Sequence, residues 1–169
     1  LIRIDGLDKI SLLSPGAGVK DTVVNKILEL VDRTILSDIK FTNIRTGLPG
    51  NRSLTSIAID QNDPNNIVIT YGNYGNSAYV FRTKDGLSLA PSWVDITNNL
   101  PKMPVYHAVI NFSNSSEVVL GTEFGIWATE NGNDNAPIWV EQNNGVDANK
   151  PVPYVPVFEI RQLGRKDQT

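Results

Sequence analysis

Cysteine is absent from the 169 residues. That excludes disulfides, thiol nucleophiles and every zinc site built on thiolates. It leaves export open, because a secreted chain need not carry disulfides. Histidine occurs once, so no histidine pair is available for acid–base or metal chemistry. No apolar run approaches the roughly 20 residues that a membrane helix requires, and membrane insertion is not expected. An excess of positive charge is also missing. Fifteen Lys and Arg against 18 Asp and Glu leave a formal net charge of −3, which argues against a nucleic-acid binder driven by bulk charge. The charged, interrupted stretch behind Leu1 is not a signal peptide, so the gene is expected to begin upstream. What remains, 40% hydrophobic and 20% charged, is an ordinary globular composition.

Texture changes near residue 41. Of 18 Asn, 17 lie between Asn43 and Asn149. Asn favours tight turns because its side chain caps local backbone groups and tolerates positive φ. Short apolar runs between such turns read as strands: Leu54–Ile59, Ile67–Thr70 and Ala78–Thr83. Before residue 41, Leu1–Ile4 and Ile10–Leu13 read as two strands about a turn at Asp5-Gly6. From Asp21 to Ile35, Val24, Ile27, Leu28, Val31 and Ile35 fall at helical spacing, with Asp21 as N-cap. This segment is expected to be a helical insertion packed on the sheets. A partner-binding helix is the alternative, and its β-branched content keeps strand pairing open.

The chain repeats itself. Ser56–Asp60 overlies His107–Asn111 at an offset of 51, and Ile67–Ile69 overlies Val118–Leu120 at the same offset. The offset then becomes 46, setting Tyr79–Gly86 on Gly125–Gly132 and Ser92–Val94 on Ile138–Val140. Phe41–Ile44 meets Trp93–Ile96 at an offset of 52, and Pro104–Tyr106 meets Pro156–Phe158. A four-stranded antiparallel unit of about 50 residues in tandem is the signature of a propeller blade. One twisted sheet cannot bury both faces alone, and stacked neighbours bury them. The expected fold is all-β, a partial β-propeller of four-stranded antiparallel blades with a short helical insertion near the N-terminus. Residues 1–40 would be a remnant of a preceding blade plus the insertion, and 41–52 its last strand and linker. Blades would occupy 53–101 and 102–145, with 146–169 the truncated start of another. A period of about 50 makes the length a little over three units, so part of a larger propeller is expected.

Thr83-Lys84-Asp85-Gly86 followed by Ser92-Trp93 resembles the Asp-box, or BNR, repeat, with residues inserted before the Trp. Thr129-Glu130-Asn131-Gly132 followed by Ile138-Trp139 is a more degraded copy. The resemblance implies structural hairpins. Asp85 or Asn131 would accept turn amides, Gly86 and Gly132 would supply an unusual backbone angle, and Trp93 and Trp139 would pack between sheets. Gly47-Leu48-Pro49, Asp63-Pro64-Asn65 and Gly121–Gly125 look like sortilin-type and xyloglucanase-type propellers. They are most similar to those of large secreted bacterial proteins exported by the type IX pathway. The resemblance covers roughly residues 41–163 and implies a secreted or cell-surface location.

Candidate sites are few. A glycosidase needs two carboxylates roughly 5 to 9.5 Å apart, and nothing marks a pair among Asp60, Asp95, Glu123, Glu141 and Glu159. Arg45, Arg52, Arg82 and Arg161 show no triad spacing. His107 is expected to pack or hydrogen-bond locally. Asp60, Asn62 and Asp63 open like a calcium loop but lack its Gly and distal Glu. No catalytic residue, metal or cofactor is therefore assigned. Tyr71-Gly72-Asn73-Tyr74-Gly75-Asn76 is a loop whose Tyr71, Asn73, Tyr74 and Asn76 suit sugar stacking and hydrogen bonding. They equally suit a hairpin covering its neighbour. The expected role is binding, adhesion or assembly, with the remaining blades, polysaccharide or surface-assembly proteins as partners. The alternative is scaffold for a propeller glycoside hydrolase.

Overall fold

A computed structural model describes residues 2–5, 40–144 and 151–163. The chain divides into two compact units, 1–46 and 47–169. In the first, β1 (Ile2–Asp5) pairs antiparallel with β2 (Lys40–Asn43), Ile2 opposite Asn43 and Asp5 opposite Lys40. The partner described for the opening strand is thus distant in sequence. Both the Ile10–Leu13 run and the helix expected over Asp21–Ile35 lie outside the described residues.

The second unit holds two four-stranded antiparallel sheets, each a simple meander. The first runs β3 (Leu54–Ile59), β4 (Ile67–Tyr71), β5 (Val80–Thr83) and β6 (Val94–Asp95). The second runs β7 (Val105–Ile110), β8 (Val118–Thr122), β9 (Gly125–Thr129) and β10 (Val140–Glu141). Among the described residues the protein is all-β, with no helix. Strand starts follow the two offsets to within one residue, and the β-branched runs are bounded by Asn, Asp and Gly turns.

Register divides each sheet into two faces. Ala58, Val68, Arg82 and Val94 lie side by side on one face of the first sheet. Ala108, Leu120 and Trp127 lie side by side on one face of the second. These two faces meet. Ala58, Val68, Val80 and Ile96 join Val105, Ala108, Ile110, Val118, Leu120 and Trp139 in one hydrophobic cluster, with Trp127 at its edge. Burying each such aliphatic side chain contributes about 1.5 to 3 kcal/mol, so this seam is the main source of cohesion in the unit. Trp139 is 2% exposed, and its indole N–H donates to the Ile96 carbonyl at 2.8 Å. It thereby ties the last strand of one sheet to the other.

Each sheet also carries one β-bulge at matching places. The register slips between Leu54 and Ser56 on β3, and between Val105 and His107 on β7. A bulge adds an unpaired residue and redirects its side chain. The redirected residues are Thr55 and Tyr106.

Candidate binding surface

Polar turns at one end of the strands are built twice from the same parts. The Thr83 hydroxyl and the Ser92 amide both donate to Asp85 Oδ1, at 2.5 and 2.9 Å. In the second sheet the Thr129 hydroxyl and the Ile138 amide donate to Asn131 Oδ1, at 2.8 and 3.0 Å. The Gly86 amide donates to Asn65 O and the Gly132 amide to Ser116 O, one unit apart. The Thr83 bond first, then that of Ser92, holds the Asp85 carboxyl below its ordinary range.

The glycines serve for a reason other than the unusual angle implied by the resemblance. Among the described residues, positive φ occurs at Gly47, Gly75 and Gly125, and at Asn98. Neither Gly86 nor Gly132 needs it. A Cβ on Gly86 would stand 2.5 Å from Ile67 Cδ1, and one on Gly132 would stand 2.8 Å from Val118 Cγ2. The requirement is steric. Trp139 packs between the sheets, whereas Trp93 is half-buried.

Buried charge sits beside the first turn. Arg82, 3% exposed, donates through Nε to Asn66 Oδ1 at 2.8 Å, and through its terminal nitrogens to Gly132 O and Asn133 Oδ1 of the second sheet. Burial pulls its pKa down, and the Asp60 carboxylate partly offsets this. Burial pushes Asp60 up, but hydrogen bonds led by Ser115, Asn62 and Asn66 outweigh it and leave the carboxyl below its usual range. Arg82 is a clamp between sheets.

The Tyr71–Asn76 loop separates into internal and outward parts. Tyr71 is 1% exposed and edge-on to Phe81 at 5.6 Å, with the Arg52 guanidinium 4.7 Å over its ring. Asn73 Oδ1 accepts the Ser53 amide at 2.7 Å, and the Asn76 amide donates to Asn73 O and Tyr74 O. Three of the four loop residues are thus engaged in building the loop. Tyr74 stands outward, 60% exposed.

Three residues from other segments join it. Glu123, in the β8–β9 turn, accepts a short hydrogen bond from the Tyr106 phenol. The Tyr106 ring lies 4.7 Å from that of Phe158, tilted by 44°. Hydrogen bonding to Glu123, with burial and the carboxylate charge, pushes the Tyr106 phenol up to about 12. Local desolvation and then a hydrogen bond to Glu123 raise Tyr74 as well. Phe158 is 67% exposed. The result is an aromatic surface around a carboxylate, and its central ring is the residue redirected by the β7 bulge. No local pattern joins Tyr74, Tyr106, Glu123 and Phe158 in the sequence. The bulge position, which repeats at the offset of 51, is the one signal pointing to Tyr106.

The remaining candidates are dispersed. Asp95 Oδ1 accepts the Thr97 amide at 2.9 Å, and Glu159 pairs with Arg161 at 2.6 Å on the surface. A hydrogen bond to Glu141 raises the Tyr154 phenol, while Glu141 Oε1 is buried without a hydrogen bond. Each of the five candidate carboxylates therefore has its own local partner. His107 is half-buried, and its Nδ1 is buried without a hydrogen bond. Asp60 and Asp63 each cap an amide two residues on, Asn62 and Asn65 respectively. Among the described residues no group of three His, Cys, Asp or Glu is placed to hold a metal ion.

Comparison with known proteins adds no family: no family model matches the chain, and no curated protein matches it.

Proposed function

We propose that this chain is a segment of a secreted or cell-surface β-propeller that acts by binding rather than by catalysis, with polysaccharide as the ligand. The observation that carries the reading is the Tyr74–Tyr106–Glu123–Phe158 surface. Flat apolar ring faces suit the C–H faces of sugars, and a carboxylate within the same patch suits hydroxyl donors. The short Tyr106–Glu123 hydrogen bond holds ring and acceptor in one arrangement before a ligand arrives, which lowers the ordering cost of binding.

Affinity electrophoresis through gels cast with neutral and acidic polysaccharides tests this. Retention should fall roughly tenfold in Tyr106→Ala and in Glu123→Gln, as expected on losing an interfacial anchor. Unchanged retention in both variants, or none in the parent chain, overturns the reading. New reducing ends during incubation would favour the glycoside hydrolase alternative.

A further inference from the structure

The same groove occurs once on each sheet, small on the first and about four times larger on the second. On the first sheet it is lined by residues that include Arg82, Asp85, Val94 and Ile96, and has a volume of about 210 Å³. Residues Asn133, Asp134 and Asn135 of the following unit form one of its walls and narrow it. Arg82 reaches Gly132 O and Asn133 Oδ1 there, and Lys84 Nζ donates to Asn133 O at 2.6 Å. Their counterparts 46 residues on are Ala128, Asn131, Val140 and Gln142, and these line the groove on the second sheet. That groove has no such wall and is about 810 Å³ in volume, with Val140 54% exposed against 38% for Val94.

The inner edge of this second face is already occupied. The Val157 amide donates to Thr122 O at 2.9 Å. Val157 lies so close that a Cβ on Gly121 would meet its carbonyl oxygen at 2.5 Å. Gln162 Oε1 accepts the Phe112 amide at 3.3 Å, and its Nε2 donates to Asn111 Oδ1 at 2.9 Å. β7 sits on the first sheet in the same manner. The Thr55 hydroxyl donates to Val105 O, the Ala108 amide to Ser56 Oγ, and the Asn62 amide group to Phe112 O. All of these side-chain contacts span 50 to 52 residues. Residues 156–162 therefore stand on the second sheet as the first strand of a unit stands on its predecessor.

We infer that the outward face of the second sheet is the docking site for a third four-stranded unit, begun by residues 156–162 and completed by sequence following Thr169. Its third-to-fourth-strand turn, the counterpart of residues 133–135, narrows this groove and covers Ala128, as residues 133–135 do over Arg82. This rests on the stacked-repeat part of the proposed function and is independent of sugar binding.

The chain has no cysteine, so a single introduced thiol reports on this face. Ala128→Cys is made in the 169-residue chain and in the natural gene product with its flanking sequence, because its first-sheet counterpart Arg82 is 3% exposed beneath the following unit while Ala128 is half-buried. Leu89→Cys, at a position 78% exposed, is the reference in both. Maleimide labelling of each peptide is followed by mass spectrometry. In the natural product Ala128→Cys should react, relative to the reference, about tenfold or more slowly than in the 169-residue chain, and recover in urea, because labelling then requires local opening. Val119→Cys, half-buried where its counterpart Val68 is fully buried, provides a second reporter should the first fail to fold. The same relative rate in both chains overturns the inference. So does protection in the 169-residue chain that grows with its concentration, since a second copy would then be the occupant. Protection without polysaccharide retention would remove the binding reading and leave this one standing.

Discussion

In the first sheet Asp60 is joined to Asn66, and Arg82 completes the group by bonding Asn66 and facing the Asp60 charge. In the second sheet the carboxylate and amide change places: Asn111 Nδ2 donates to Glu117 Oε2 at 2.5 Å, and Ala128 stands where Arg82 would be. The backbone around them is the same, since Asp60 N bonds Asn66 O and Asn111 N bonds Glu117 O. Bulges, strand order and the Asp85 and Asn131 turns are likewise held in both sheets, while charge and the length of the second-to-third-strand connection are not. Repeat geometry is thus carried by backbone hydrogen bonds and a few steric requirements. Side chains are then free to make each seam different.

The strongest way to break this equivalence is at the tryptophans. Trp139→Ala should cost about 3 to 5 kcal/mol of unfolding free energy, because it empties the seam and orphans the Ile96 carbonyl. Trp93→Ala, at a half-buried position, should cost distinctly less. Urea unfolding of the two variants decides the matter, and equal costs would contradict the placement of Trp139 as the inter-sheet tie.

The clamp gives a smaller effect. Arg82→Met should destabilise by about 2 to 3 kcal/mol, since hydrogen bonds to a buried charge are lost and Asp60 loses its compensating cation. The reciprocal change Ala128→Arg places a cation over the larger groove and should stay within about 0.5 kcal/mol of the parent. A large gain for Ala128→Arg would mean that the second sheet already holds a partner for it.

The smallest effect concerns acid. Asp85 has a folded-state pKa below its ordinary value. Its contribution is therefore present above the usual Asp range, near about 4, and is lost as pH falls through the lowered value. Asn131 does not titrate there. Amide exchange at Ser92 should quicken relative to Ile138 as pH drops below that range, after correction for the intrinsic rates. Asp85→Asn should remove the difference. Parallel behaviour of the two amides in the parent chain would show that the Asp85 turn is not the acid-sensitive one.

The strands of the second unit were legible because their signals are local. Leu54–Ile59 alternates, Ile67–Thr70 is a short apolar run, and the two offsets alone align both sheets. The turn residues Asp85, Gly86, Asn131 and Gly132 stood out for the same reason. Their steric role did not, because it depends on Ile67 and Val118 arriving from a neighbouring strand. The aromatic surface was less legible still. Tyr71-Gly72-Asn73-Tyr74 drew attention by composition, yet Tyr71 turns inward beneath Arg52 and Asn73 holds Ser53. Tyr106, Glu123 and Phe158 come from separate segments, and what unites them is a bulge and a stacked strand. Neither has a composition of its own.

The seam between sheets joins several positions to one within a few residues of their own counterparts: Thr55 to Val105, Ser56 to Ala108, Arg82 to Gly132. Such a surface is complementary to a copy of the element that bears it. A duplication within the gene then creates a new seam without any new interface having to arise by point mutation. Unequal recombination between copies would add or delete whole units while keeping the backbone geometry of the seam. In such a lineage the number of units is the quickly changing character and the fit between them the slow one.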